Sequence, residues 1–182
     1  TSYAKAYHEI AFGQCIIEAL KEEVKREIKD FNIVEGDVNV GINGDGFEVI
    51  FARNLGRMVS LKYDGIEYIY QPNLSLMPSF WRASTDNDRG NQAPIRMAQW
   101  KLASLYAFHE NMKINRREDG LEVIFTYNLN TVPTSRSVVK YFINSYGQIH
   151  VTMSYNGVEG LPNMFKFGMD LAIPANFDTL TW

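Results

Sequence analysis

The stretch Val38-Asn39-Val40-Gly41-Ile42-Asn43-Gly44-Asp45-Gly46-Phe47-Glu48-Val49-Ile50-Phe51 alternates apolar and polar residues, breaks at an Asn/Gly/Asp cluster and alternates again. Period-two alternation places every second side chain on one face of a strand, and Gly and Asn tolerate the positive φ of a tight turn. The stretch therefore predicts a β-hairpin. The same grammar runs outward. Asn54-Leu55-Gly56 turns into Met58 to Tyr63, Asp64-Gly65 turns into Ile66 to Tyr70, and Pro72-Asn73 breaks the run before Leu74 to Trp81. Glu118-Asp119-Gly120 links Met112–Arg116 to Leu121–Leu129, and Asn144-Ser145-Tyr146-Gly147 links Val138–Ile143 to Ile149–Tyr155. Phe165 to Ile173 follows a Gly-Leu-Pro break. Short strands rich in Val, Ile, Tyr and Phe, separated by turns at near-regular spacing, predict an all-β sandwich. Asp86 to Lys101 interrupts the pattern; it is polar, carries Gly90 and Pro94, and reads as a loop with one helical turn.

The first 30 residues have a different texture. Ile16, Ile17, Leu20, Val24 and Ile28 recur at helical spacing among Glu and Lys, yet Val24-Lys25-Arg26-Glu27-Ile28 also alternates, so helix, exposed strand and linker all fit. His8-Glu9-Ile10-Ala11-Phe12 alternates like the last strand of something that began upstream. Thr1 is not an initiator Met, and Phe177 to Trp182 is an apolar ending without a polar tail. The expectation is an excised part of a longer protein.

The chain has 182 residues, 46% hydrophobic and 21% charged, which suits a globular domain with a substantial core. No run approaches the roughly 20 apolar residues of a membrane span. With 18 Lys+Arg against 21 Asp+Glu, the net charge of −3 offers no basic excess for a nucleic-acid backbone. The single cysteine, Cys15, has no internal disulfide partner and no companion thiol for zinc, so the expected compartment is the cytoplasm.

The densest chemistry lies in Met77-Pro78-Ser79-Phe80-Trp81-Arg82-Ala83-Ser84-Thr85-Asp86-Asn87-Asp88-Arg89-Gly90. Arg82, Asp86, Asn87, Asp88 and Arg89 form a polar cluster directly after two large aromatics at a strand end. One reading is purely structural: Asp and Asn fold onto their own backbone, Arg pairs with Asp, and Gly90 supplies a positive φ. The other is a loop that docks on a neighbouring domain or lines a sugar site. A calcium loop fails, since counting from Asp86 puts glycine fifth and Met97 twelfth, where an EF-hand needs glycine sixth and glutamate twelfth. His8, His109 and His150 are scattered without zinc-ligand spacing. There is no G-x-S-x-G elbow or P-loop, and Gly41-Ile42-Asn43-Gly44 lacks dinucleotide-motif spacing. Asn73-Leu74-Ser75 is a formal glycosylation sequon, of little weight in a cytoplasmic chain. Among 10 Tyr, 11 Phe and 3 Trp, a ring can stack on the apolar face of a pyranose, with Trp81, Trp100 and Trp182 the candidates. Packing in the inter-sheet core competes for each of them.

At Phe80-Trp81-Arg82-Ala83-Ser84-Thr85-Asp86-Asn87-Asp88-Arg89-Gly90 the sequence closely resembles the small-chain domain of glycoside hydrolase family 2 β-galactosidases, which carry F-W-R-A-P-T-D-N-D-x-G; Ser84 stands where the family usually has proline. Asn54-Leu55-Gly56, Ser60-Leu61 and Tyr63-Asp64-Gly65 look like the family's hairpin leading into that stretch. Leu161-Pro162 through Phe167-Gly168-Met169 to Phe177-Asp178 and Trp182 resembles the segment before its Y-G-x-G-P loop, and His8 to Phe12 is similar to the strand closing the preceding immunoglobulin-like domain.

The resemblance implies a bacterial enzyme built from a jelly roll, an immunoglobulin-like domain, a TIM barrel, a second immunoglobulin-like domain and an antiparallel β-supersandwich of the galactose mutarotase-like type. Residues 1–30 would be the end of the second immunoglobulin-like domain plus a linker, and 31–182 the first part of the supersandwich. It implies retaining hydrolysis of terminal β-galactosides such as lactose by two barrel glutamates, so no catalytic residue in this chain. Neither cofactor nor metal is expected here; a magnesium or sodium ion of the parent would sit in other domains. Expected partners are the barrel and remaining domains, the β-galactoside and, in the parent, a further copy of itself. The family's aromatic wall residue lies beyond Trp182. A partial sandwich leaves unpaired edges, so self-association is expected of the chain alone. Against this stand a free-standing carbohydrate-binding sandwich that stacks sugar on Trp81 or Trp100, and a scaffold with no sugar contact.

Overall fold

The computed structural model describes residues 27–179. The strand expected at His8–Phe12, and nearly all of the segment read as helix, strand or linker, lie outside the described residues; residues 27–30 run without regular structure into the first strand.

The hairpin forms where the alternation placed it. Strands β1 (Phe31–Glu35), β2 (Asn39–Gly44), β3 (Phe47–Ala52), β4 (Arg57–Tyr63) and β5 (Ile66–Glu67) make an antiparallel five-stranded sheet in chain order. Ile42 pairs with Val49 and Val40 with Phe51, so the inward side chains of β2 and β3 are the buried Val40, Ile42, Phe47, Val49 and Phe51. After β6 (Met77–Ser79), the strands β7 (Phe108–Arg117), β8 (Gly120–Asn128), β9 (Arg136–Asn144) and β10 (Ile149–Tyr155) form a second antiparallel sheet, and β11 (Gly168–Asp170) returns to pair with β6. Leu121, Val123, Phe125 and Tyr127 of β8 and Val139, Tyr141 and Ile143 of β9 face inward and are fully buried.

The two inner faces meet. Phe51 of the first sheet lies edge-on to Tyr141 of the second, with ring centroids 5.1 Å apart, and 6.1 Å from Phe125. A phenol taken out of water needs a partner: the buried Tyr127 donates to Gly56 O at 2.5 Å and the partly buried Tyr63 to Gly147 O at 2.6 Å, each joining the sheets. The protein is an all-β antiparallel sandwich.

Some strands are shorter than their alternation predicts. β5 stops after Glu67 because the Glu67 carboxylate itself takes the local donors, accepting from Leu61 N, Ile69 N and Ser60 Oγ. The run expected at Leu74–Trp81 becomes a 3-10 turn at Pro72–Leu74 followed by β6, and that at Phe165–Ile173 reduces to β11.

The largest correction concerns Asp86–Lys101. This is no loop with one helical turn but part of three helices, α1 (Asp86–Gly90), α2 (Ala93–Arg96) and α3 (Ala98–Tyr106). Pro94 sits in the first turn of α2, where its missing N–H costs nothing. Gly90 ends α1 without a positive φ; the left-handed residue is Gln92 at φ 60°. Trp100 and Ala103 anchor α3 in the core, and Ser104 Oγ bonds Trp100 O and accepts from Phe80 N at 2.8 Å, tying the helix to the end of β6.

Candidate functional site

Phe80 and Trp81 follow directly on β6. Phe80 is buried against Trp100, Tyr155 and Phe167. Trp81 is half-buried, its ring edge-to-face with Phe165 at 4.7 Å. The Arg82 guanidinium lies over the same Phe165 ring, 5.1 Å from its centroid. One aromatic side chain thus carries both the tryptophan and the arginine that open the polar stretch.

Arg82 also grips Asp88, Nη1 donating to Oδ2 at 2.7 Å and Nη2 to Oδ1 at 3.4 Å, while Nη1 reaches Ala83 O at 2.9 Å. Asp88 Oδ2 accepts further bonds from Thr85 N at 2.8 Å and Thr85 Oγ1 at 2.9 Å, and Asp88 N donates back to Thr85 Oγ1. This is a capping box: the threonine and the acid three residues later satisfy each other's backbone donors and start α1. It orders the turn that follows Ser84. The outer pair is separate: Arg89 Nη1 donates to Asp86 Oδ1 at 2.9 Å and Nη2 to Ser84 O at 3.2 Å.

The two pairs differ in environment. The Asp88 side chain is 14% exposed and that of Asp86 97%. The Arg82 hydrogen bond, then the Thr85 backbone N–H, lower the Asp88 carboxyl to about 2. Asp88 is therefore a fixed anion, neutralised in place. A glycosidase acid needs the opposite, a carboxyl raised toward neutrality. Glu35, Glu67, Glu110 and Asp170 are likewise lowered: Glu35 by Arg116 and Arg53, Glu110 by Arg136, Glu67 and Asp170 by hydrogen bonds that outweigh their partial burial. Within the loop, both carboxylates are engaged by arginines, Asp88 by Arg82 and Asp86 by Arg89.

The structure brings Trp81, Arg82, Asp86, Asp88 and Arg89 together, with Asn87 exposed on α1 beside them. Trp100 is not among them. It is 1% exposed, packed on Phe80 and Tyr155, and its Nε1 donates to Pro162 O at 2.8 Å. It offers no open ring face for a sugar, and core packing is its role here. Trp182 lies outside the described residues. Sequence reasoning missed Phe165 and Thr85. Thr85 was legible as an S/T-x-x-D start signal, whereas Phe165 reaches the loop only through the tertiary fold.

Residues 43–182 match the family described as beta galactosidase small chain. The chain belongs to that family. Across its whole length it is 34% identical to a beta-galactosidase of Clostridium acetobutylicum and 37% identical to one of Streptococcus thermophilus, covering 20% and 17% of those proteins. It is also 33% identical, over 80% of its own length, to a protein of Latilactobacillus sakei named beta-galactosidase small subunit, of which it covers 51%. The chain thus spans about a fifth of the longer relatives it matches and about half of the small subunit.

Proposed function

We propose that this small-chain sandwich is a non-catalytic part of a cytoplasmic bacterial β-galactosidase that hydrolyses terminal β-D-galactosides such as lactose with retention. Its loop from Trp81 to Arg89 packs at the boundary with the catalytic barrel and shapes the sugar site. The names of the relatives support the activity of the parent. The observation that carries the role of the loop is the Phe165 platform, which fixes Trp81 and Arg82 while Arg82 holds Asp88. Behind this anchored pair the exposed Asp86, Asn87 and Arg89 are left to meet a surface outside the described fold.

The arrangement also supports inactivity of the chain alone, because the loop carboxyls are paired with arginine and Asp88 is pushed away from the acid range a glycosidase uses. The test is turnover of a nitrophenyl β-galactoside by the purified chain, with the full-length enzyme as reference. No turnover by the chain is expected. Measurable hydrolysis would sink the non-catalytic assignment. Half-exposed Trp81 leaves one second reading, a sugar-stacking module. Saturable galactose shifts in an NMR titration of the chain alone, lost in Trp81→Ala, would favour it.

A further inference from the structure

Asparagine precedes glycine twice in this chain, at Asn43-Gly44 and at Asn156-Gly157. The pair carries a reaction of its own, because glycine has no Cβ to keep its backbone nitrogen away from the preceding side-chain amide. The fold treats the two pairs in opposite ways. Asn43 and Gly44 end β2, between two neighbouring strands: Asn43 lies opposite Asn32 of β1 and Glu48 of β3, and Gly44 opposite Phe31 and Phe47. Gly44 is also enclosed, an added Cβ lying 2.4 Å from the Phe47 ring and 3.3 Å from Asp30 O. Bringing the Gly44 nitrogen onto the Asn43 side chain therefore means turning the main chain out of both ladders. Asn156, in contrast, is the first residue past β10, whose last pair is Tyr155 with Ser137. Asn156 and Gly157 are exposed and belong to no helix or strand. Among the described residues the Asn156 side chain makes no hydrogen bond and the Gly157 N–H has no acceptor. A Cβ added to Gly157 would meet nothing within 4 Å, so the approach to this amide is open to solvent.

We propose that Asn156-Gly157 is a modification site, where the folded chain deamidates spontaneously through a cyclic imide while the sheet protects Asn43-Gly44. The Gly157 backbone nitrogen gives up its proton and forms a bond to Asn156 Cγ. The Cγ–Nδ2 bond breaks, and Nδ2 leaves as ammonia with that proton, closing a succinimide. Water then opens the ring at one of two carbonyls. Addition at Cγ gives aspartate; addition at the Asn156 main-chain carbonyl carbon gives isoaspartate, in which the main chain runs through Cβ and Cγ. Nothing is oxidised or reduced, and water is the co-reactant. Both products place a carboxylate where Asn156 now lines a cleft of about 380 Å³ with Thr126, Thr134, Arg136 and Ser154. The cation of that cleft, Arg136, is paired with Glu110, so the new charge competes with an existing partner. The isoaspartyl form also lengthens the main chain at the root of the connection that carries Pro162 to the Trp100 indole.

Peptide mapping by mass spectrometry tests this on the folded chain, kept dilute in warm, mildly alkaline buffer and sampled over time. Amide loss is read in the peptides that contain Asn156 and Asn43, the second being a control of the same dipeptide chemistry in the same molecule. Asn156 is expected to lose its amide about tenfold or more faster than Asn43, because reaction at Asn43 waits on local opening of the sheet and a tenfold difference in rate corresponds to only about 1.4 kcal/mol. In urea, where the ladders are gone, the two rates should converge. Gly157→Ala, whose methyl group falls in open space, should slow the loss at Asn156 and leave that at Asn43 unchanged. Equal rates at the two sites in the folded chain, a difference that persists undiminished in urea, or a wild-type rate at Asn156 in Gly157→Ala would each overturn the proposal. The comparison within the wild-type chain decides the matter even if the variant fails to fold.

Discussion

Trp100 Nε1 donates to the carbonyl of Pro162 at 2.8 Å, joining α3 to the connection between β10 and β11 across 62 residues of sequence. The indole also packs on Phe80, which leads directly into the polar loop. The core of the sandwich and the placement of the loop are thus one construction.

Trp100→Ala removes a fully buried ring and is expected to cost about 3–5 kcal/mol of stability, read from urea unfolding of the chain. Trp100→Phe keeps most of the packing and loses the donor, so about 1–2 kcal/mol is expected. Equal stability of Trp100→Ala and wild type would contradict the placement of Trp100 in the core.

Asp88 reports the loop geometry through its titration. Its carboxyl falls from 3.8 to about 2 because Arg82 and then Thr85 bond to the charged form. A folded-state pKa below the unfolded one contributes stability that is fully present above the unfolded value and is lost as pH falls through about 2. An NMR carboxyl titration is expected to show the low midpoint in the wild type and a return toward the ordinary value in Arg82→Ala. A midpoint unmoved by that substitution would show that Arg82 does not hold Asp88.

Gly120 opens β8 where there is no room for a side chain. An added Cβ would lie 2.0 Å from the Ile143 carbonyl oxygen and 2.9 Å from Asn144 Cα, both backbone atoms of β9. Gly120→Ala is expected to cost about 3 kcal/mol or more, since the strand must shift. An unchanged denaturation midpoint would rule out the observed register between β8 and β9.

Among the described residues β10 pairs only with β9, and this edge predicts self-association of the chain on its own. Sedimentation velocity over a concentration series should show growth beyond the monomer. A monomer at all concentrations would mean the edge is protected.

The sheets were legible because β2, β3, β8 and β9 bury alternate residues between turns whose Gly and Asn announce them. The helices were not. α3 is anchored inward by little more than Trp100 and Ala103 while Leu102, Leu105 and Tyr106 face outward, so its apolar residues show no clean helical face. Pro94 and Gly90 read as breakers, although one starts a helix and the other ends one. Within the site, the Arg82–Asp88 and Asp86–Arg89 pairs were foreseeable from their spacing along one short segment. The Phe165 platform was not, because only the pairing of β11 with β6 brings that residue beside Trp81 and Arg82.

The central claim is that the loop shapes the sugar site of a β-galactosidase whose catalytic groups lie elsewhere. Its most direct test is the steady-state kinetics of Arg82→Ala in the full-length enzyme, with Lys140→Ala on the outer sheet face as control. The account predicts a fall in kcat/KM of about tenfold or more for Arg82→Ala, equivalent to about 1.4 kcal/mol of lost transition-state binding, with the control unchanged. Wild-type kcat/KM in a folded Arg82→Ala enzyme would contradict it.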